Sequence, residues 1–146
     1  MERGEERDLI VDALNSAKSA IQGGVLPGGG IALYHASKLI EDGLPDMLSD
    51  PSEQVGAKIL SEALKAPINT LVMNKEGLSA ANKIDKILEA GDFFTGYDVR
   101  KEEICDMMDR GLYDSLNVVK VILEDSVSLA GMVVSTECIL VKEKSY

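Results

Sequence analysis

Three successive glycines, Gly28, Gly29 and Gly30, stand directly ahead of an apolar run that begins Ile31-Ala32-Leu33. Glycines so placed let backbone amides approach an anion closely while the positive end of a helix dipole faces it, which is the chemistry of a phosphate cradle. Neither the lysine and hydroxyl of a P-loop nor the spaced glycines of a dinucleotide fingerprint accompany them. The same residues also suit a Pro27-Gly28 turn that simply joins two packed helices. Three acids deserve the same double reading. Asp12 falls in a helical stretch about 140° away from the apolar face; by itself it is a solvated acid, and its functional reading is to orient a water or a magnesium ion. Asp98 lies in the aromatic segment Phe93-Phe94-Thr95-Gly96-Tyr97-Asp98-Val99, where an acid ordinarily shapes a turn. Asp114 precedes a long apolar stretch, the position of a helix cap.

Other chemistry is limited by what the chain holds. His35 is the one histidine, so a two-histidine metal site is excluded and no nucleophile and base pair can be assembled around it. On the spacing it belongs at a helix surface. Cys105 and Cys138 have no second cysteine or histidine at ligand distance, which rules out a structural zinc site and suggests reduced, half-buried thiols. Met107-Met108 reads as adaptable core packing. The net charge of -10 argues against a nucleic-acid partner, which needs clustered Lys and Arg to displace counterions. No apolar run approaches ~18 residues, so no membrane span is expected, and the charged amino terminus lacks the apolar stretch of a targeting signal.

The elements that must carry these residues are mostly helical. With 45% hydrophobic and 27% charged residues in 146, the composition is globular, and a chain of this length can bury roughly 68–70% of its unfolded surface. Leu9, Ile10, Ala13, Leu14, Ala17, Ala20 and Ile21 define one helix face, stopped at Gly23-Gly24. A second helix follows the glycines through Ile40, and residues 41–50 read as a loop because of Gly43 and Pro45. Asp50-Pro51 starts a third helix. Pro67 resets the chain, and Ile68, Leu71, Val72 and Met73 form a short helix closing near Gly77. Ser79 caps another that ends at Gly91. Phe93 to Val99 reads as a strand or strand-like loop, 101–110 as a helix, and 116–135 as a long helix. The β-branched finish at Cys138-Ile139-Leu140-Val141 reads as a terminal strand whose partner lies outside this sequence.

The order of these features resembles the GroEL-type (group I) chaperonins. The resemblance rests on Val11-Asp12-Ala13-Leu14, on Val25 through Leu33 with the triple glycine, and on Gly96-Tyr97-Asp98. It continues through Met108-Asp109-Arg110-Gly111-Leu112-Tyr113-Asp114 and Ser128-Leu129-Ala130-Gly131-Met132 to Thr136-Glu137-Cys138. It implies a mainly α fold: a helical bundle like the carboxy-terminal half of a chaperonin equatorial domain, with a short terminal β-strand. Residues 1–22 would be the carboxy-terminal piece of an intermediate domain, and 23–146 the second half of the equatorial, ATP-binding domain. The apical domain and the amino-terminal equatorial half, with the other phosphate loop and the magnesium-ligating aspartate, would lie outside the sequence.

Carried over by position, Asp12 matches the acid that activates the attacking water. Gly28 and Gly29 match the backbone contact near the nucleotide. Tyr97, Asp98 and Val99 match the loop on the adenine side, Asp114 the acid that meets the ribose, and Leu71 and Leu112 the apolar contacts to the base; no metal ligand is among them. ATP and Mg²⁺ are implied for the full-length parent. Identical subunits in a ring are implied as partners, with unfolded client proteins and a co-chaperonin engaged through the apical domain. The expected function is ATP-dependent assistance of protein folding and refolding, with this segment alone catalytically inactive.

The sequence departs from the family pattern at several places. Asp98 stands where bacterial members usually carry Asn, Ser115 replaces a usual proline, Arg100 and residues 74–90 fit poorly, and the glycine- and methionine-rich tail is absent. These departures suggest an organellar member, in the mitochondrial matrix or plastid stroma, with the bacterial cytoplasm as the alternative. The competing reading is a non-enzymatic helical interaction or oligomerisation module. If part of the subunit lies elsewhere, apolar helix faces should be left exposed.

Overall fold

The computed structural model describes residues 2–77, 92–138 and 140–141. The helices are α1 (Glu2–Gly23), α2 (Ile31–Met47), α3 (Pro51–Leu64), α4 (Ala66–Glu76) and α5 (Leu116–Ser135). The strands are β1 (Val25–Pro27), β2 (Thr95–Asp98), β3 (Glu103–Asp106) and β4 (Tyr113–Ser115). These form two compact units, one holding α1 and α5, the other running from Val25 to Asp114.

In the first unit, α1 and α5 pack on each other. The Gly24 carbonyl accepts from the Leu116 amide at 3.1 Å, and the Ser19 and Ser115 hydroxyls lie 2.7 Å apart. Gly24 takes φ 87, so the helix stop read at Gly23-Gly24 uses the left-handed conformation that glycine permits. The α5 boundaries match the expected 116–135, with Ser115 rather than Asp114 at the cap position; Asp114 belongs to β4. Leu9, Leu14 and Ile21 on α1, and Val121, Ile122, Leu129 and Met132 on α5, are exposed, and no residue of α5 is buried. Cys138 is exposed, contrary to the half-buried expectation, because the chain has left α5 there. Among the described residues no strand forms at the terminus; Cys138, Leu140 and Val141 pair with nothing, and Ile139 lies outside the described set.

The second unit is built on Ile31 and Tyr34 of α2, Ile68 and Val72 of α4, Tyr97 of β2 and Met107. Val99, Cys105 and Leu112 pack against that cluster. At the start of α3, Asp50 caps as expected, its carboxylate accepting from the Ser52 amide at 2.8 Å with Pro51 in the first turn. Pro67 occupies the same early position in α4, and Gly77 ends that helix at φ 56.

Two further sequence expectations fail here for identifiable reasons. Residues 41–47 are helical, not looped. Glu41 is anchored by the Ser61 hydroxyl of α3 at 2.9 Å and by Nζ of Lys65, which caps the end of α3, at 2.5 Å, so tertiary contacts carry α2 past Gly43 and Pro45. Residues 103–106 form β3, not helix, because the chain reverses at Glu102, which takes φ 59, and pairs antiparallel with β2 in the register Thr95↔Asp106, Gly96↔Cys105, Tyr97↔Ile104, Asp98↔Glu103. The helical spacing of Ile104, Met107 and Met108 is incidental, since Asp106 Oδ1 accepts from the Met108 and Asp109 amides and closes a turn there. Ahead of the glycine turn, Val25 to Pro27 forms β1, paired with β4. The helix expected from Ser79 to Gly91 lies outside the described residues.

The Glu41 cluster gives a pH prediction. Hydrogen bonds from Lys65, then Lys38 and Ser61, lower its pKa from 4.5 to about 2. A carboxyl whose folded pKa lies below its unfolded one contributes stability that is complete above the unfolded value and lost as the pH falls through the folded value. Melting temperature should therefore drop between about pH 4.5 and 2. In Glu41→Gln that part of the drop should be smaller; an unchanged acid profile would show that the cluster does not bear on stability.

Candidate functional site

The second unit encloses a hollow of about 300 Å³. One side is the glycine turn, Gly28 and Gly29. The end of β2 and its following turn, Tyr97, Asp98 and Val99, form another part of the lining. Leu71 of α4 and Leu112 supply apolar surface, and Asp114 of β4 stands at the remaining edge. Met107, Arg100, Gly111 and Tyr113 complete the lining. Every residue expected on the nucleotide side thus borders one cavity. Asp12 is carried by α1 in the other unit, where it is exposed.

Each glycine of the turn is required for a separate steric reason. A Cβ on Gly28 would lie 3.0 Å from the Leu112 carbonyl oxygen, because the Gly28 amide donates to that oxygen at 2.9 Å where β1 meets β4. Gly30 caps α2 at φ 79, and its Cβ would stand 2.9 Å from the Ile68 nitrogen. A Cβ on Gly29, which has φ 69, would stand 3.0 Å from Met107 Cε, 3.9 Å from the Tyr97 carbonyl oxygen and 4.0 Å from Leu71 Cδ2, and Gly29 borders the hollow together with Gly28. Among the described residues, no backbone hydrogen bond uses the Gly29 amide. The turn therefore joins two packed elements and also leaves a donor beside the start of α2, so the two sequence readings are compatible.

Asp98 is 7% exposed. Its Oδ1 accepts from the Arg100 amide at 2.9 Å and the Lys101 amide at 3.2 Å, and its carbonyl accepts from the Glu102 amide at 2.8 Å. The carboxylate is thereby committed to shaping the turn that presents Val99 to the cavity. Asn offers the same acceptor oxygen, which makes the Asp-for-Asn departure a small one for backbone geometry. Asp98→Ala should lower unfolding free energy by about 1–3 kcal/mol, and Asp98→Asn by under about 1 kcal/mol, in urea titrations. Equal losses in the two variants would contradict this turn-forming role.

Burial pushes the Asp114 carboxyl pKa up, although the residue as a whole remains accessible. Cys105, half-buried on β3 behind the cavity wall, has its thiol raised by burial and then by the Asp98 charge, so it is poorly suited to act as a nucleophile. No group of three or more His, Cys, Asp or Glu among the described residues is placed to hold a metal ion.

His35 departs from its expected surface position. It is half-buried, its ring 5.1 Å from that of Phe93 and 5.9 Å from that of Tyr34, and its Nε2 is buried with no hydrogen-bond partner among the described residues. It does not line the cavity. The sequence reading missed Met107 as a lining residue. The signal was available in Gly29 and Gly96, two glycines that leave room for one long side chain, but nothing in the linear order ties them to residue 107.

The mainly helical frame agrees with the sequence comparison: residues 3–144 match the TCP-1/cpn60 chaperonin family, and the chain belongs to that family. Its relatives include the mitochondrial chaperonin CPN60-2 of Zea mays, 39% identical over 97% of this chain and 24% of that protein. The mitochondrial chaperonin HSP60 of Trypanosoma cruzi is 36% identical over 97% of this chain and 25% of that protein. These are CPN60/HSP60 proteins, in keeping with the GroEL-type resemblance. Among solved structures, a group III chaperonin in the open state matches with a TM-score of 0.72 and 27% identity, covering 84% of this chain and 25% of that one. The chain spans about a quarter of the length of the relatives it matches.

Proposed function

We propose that this chain supplies one wall of the ATP site of a GroEL-type chaperonin subunit, together with the acid that activates the hydrolytic water. In this reading residues 1–22 belong to the intermediate domain and 23–146 to the equatorial domain. The observation that carries the proposal is the single cavity bordered by Gly28, Gly29, Leu71, Tyr97, Asp98, Val99, Leu112 and Asp114. Its chemistry suits a nucleotide. Leu71, Val99 and Leu112 offer apolar faces to a base, and the Asp114 carboxylate can accept from ribose hydroxyls. The Gly29 amide, beside the α2 N-terminus, can donate to phosphate.

Asp12, exposed on α1, would accept a proton from the attacking water. Magnesium, when bound, neutralises phosphate charge; its ligands would come from residues outside this sequence. Ring neighbours of the same kind, unfolded client proteins and a co-chaperonin would be the partners of the whole subunit. The mitochondrial names of the relatives favour the mitochondrial matrix as its compartment.

Photolabelling with 8-azido-ATP tests the site. Adducts are expected in the peptides containing Leu71, Tyr97 to Val99 and Leu112, and they should be suppressed by excess ATP. Labelling confined to other peptides, or insensitive to ATP, would overturn the proposal.

A further inference from the structure

Met107 is 2% exposed, yet it lines the cavity and packs against both Gly29 and Gly96. Its Cγ and Sδ lie 2.7 and 2.9 Å from where a Cβ on Gly96 would stand, so it packs flat against β2. Its terminal Cε lies 3.0 Å from where a Cβ on Gly29 would stand, so the same side chain also touches the glycine turn. The backbone repeats this bridge. The Met107 amide donates to the Phe94 carbonyl at 2.9 Å, the Leu112 amide donates to the Met107 carbonyl at 2.8 Å, and the Gly28 amide donates to the Leu112 carbonyl at 2.9 Å. Side chain and main chain, the latter by way of Leu112, thus join Met107 to both β2 and the glycine turn, which also meet where the Tyr97 carbonyl oxygen lies 3.9 Å from the place of a Cβ on Gly29.

We propose that Met107 is a positioning residue, the spacer that holds the glycine turn and the β2–β3 hairpin at their separation where both border the cavity. Its relevance to nucleotide rests on the function proposed above, but the spacing itself does not. The unbranched thioether is suited to the task because it extends past Gly96 to Gly29, where a branched side chain of equal volume stops short. Met107→Leu therefore weights the two contacts differently: it keeps atoms at the level of Cγ and Sδ, the nearest to Gly96, and removes Cε, which is the atom nearest Gly29 and stands 3.6 Å from the place of a Cβ on Gly96.

The decisive measurement is amide hydrogen exchange by NMR on the ligand-free chain, comparing wild type with Met107→Leu and Met107→Ala. In Met107→Leu, the Gly28 and Leu112 amides should exchange about tenfold faster while the amides of α3 stay unchanged and the melting temperature moves little. Faster exchange spread evenly over the unit would mark Met107 as ordinary core packing and overturn the proposal, as would no change at Gly28 and Leu112. Met107→Ala provides a second arm through Gly96→Ala. Alone, Gly96→Ala should speed exchange at Thr95 and Met107, and in the double variant the smaller side chain at 107 should restore wild-type rates there. Absence of rescue also counts against the spacer.

ATP affinity is read separately on the same samples. If wild type binds ATP, Met107→Leu should weaken ATP about tenfold and adenosine less than about twofold, since only the phosphate side moves; equal losses would contradict the spacer. Wild-type protein that binds no ATP would instead count against the nucleotide reading, with the exchange data still deciding the role of Met107.

Discussion

Asp12→Ala in a full-length subunit containing this segment is expected to lower kcat for ATP hydrolysis by roughly 10²–10⁴, the usual contribution of a positioned general base. KM for ATP should change little, because the cavity residues that would hold nucleotide lie in the other compact unit. Asp12 is exposed on α1, so the substitution removes no buried partner and the fold should be untouched. Steady-state kinetics separate the outcomes. A fall in kcat with KM preserved fits the water-activating role; a rise in KM with kcat preserved would make Asp12 a binding residue. The present chain by itself is expected to show no turnover, and turnover that disappears in Asp12→Ala would contradict the division of the site between this segment and residues outside it.

Gly30→Ala should be the most destabilising single methyl addition in the glycine turn. The residue sits at φ 79, a conformation that costs an L-residue roughly 1–2 kcal/mol. Its added Cβ would also stand 2.9 Å from the Ile68 nitrogen and 3.3 Å from Ile68 Cα, backbone atoms of a helix whose Ile68 is fully buried. Overpacking of that kind adds about 1–3 kcal/mol, so a total loss of about 2–5 kcal/mol is expected in chemical denaturation. Gly56, inside α3 with nothing within 4 Å of a Cβ, is the internal control. There Gly56→Ala should gain about 0.5–1 kcal/mol from helix propensity. A Gly30→Ala protein as stable as wild type would mean that α4 does not pack against the turn as described.

The contrast between these two glycines shows what was legible in the sequence. Where a feature depends on local chemistry, it could be read directly. Asp50-Pro51 starts α3, Gly23-Gly24 stops α1, and the apolar run after Ser115 is a helix with the expected ends, because caps, left-handed glycines and periodicity act within a few residues. Where tertiary contacts override local preference, the sequence misleads. Gly43 and Pro45 look like a stop, but Glu41 fastens that turn of α2 to Ser61 and the capping Lys65 of a helix that comes later in the chain. Ile104, Met107 and Met108 are spaced as on a helix, but side-chain acceptors on Asp98 and Asp106 close turns on either side and leave 103–106 extended.

The site divides along the same line. Gly28 and Gly29 could be singled out from their position before Ile31, but composition and spacing could not associate them with Leu71, Val99 or Asp114. That grouping is implied by the family resemblance, and in the structure these residues border one cavity. Met107 was read correctly as buried, yet its reach from Gly96 to Gly29 depends on a fold in which three distant segments meet. The exposed apolar residues of α1 and α5 agree with the expectation that helix faces are left uncovered in this segment.

The most direct test of the central claim is an NMR titration of the protein with ATP and magnesium carried to millimolar concentration, where even a half-formed site gives measurable shifts. The account predicts saturable, specific changes at the amides of Gly28, Gly29, Leu71, Val99, Leu112 and Asp114. Shifts that leave these amides still while others move, or no shifts at all, would contradict it.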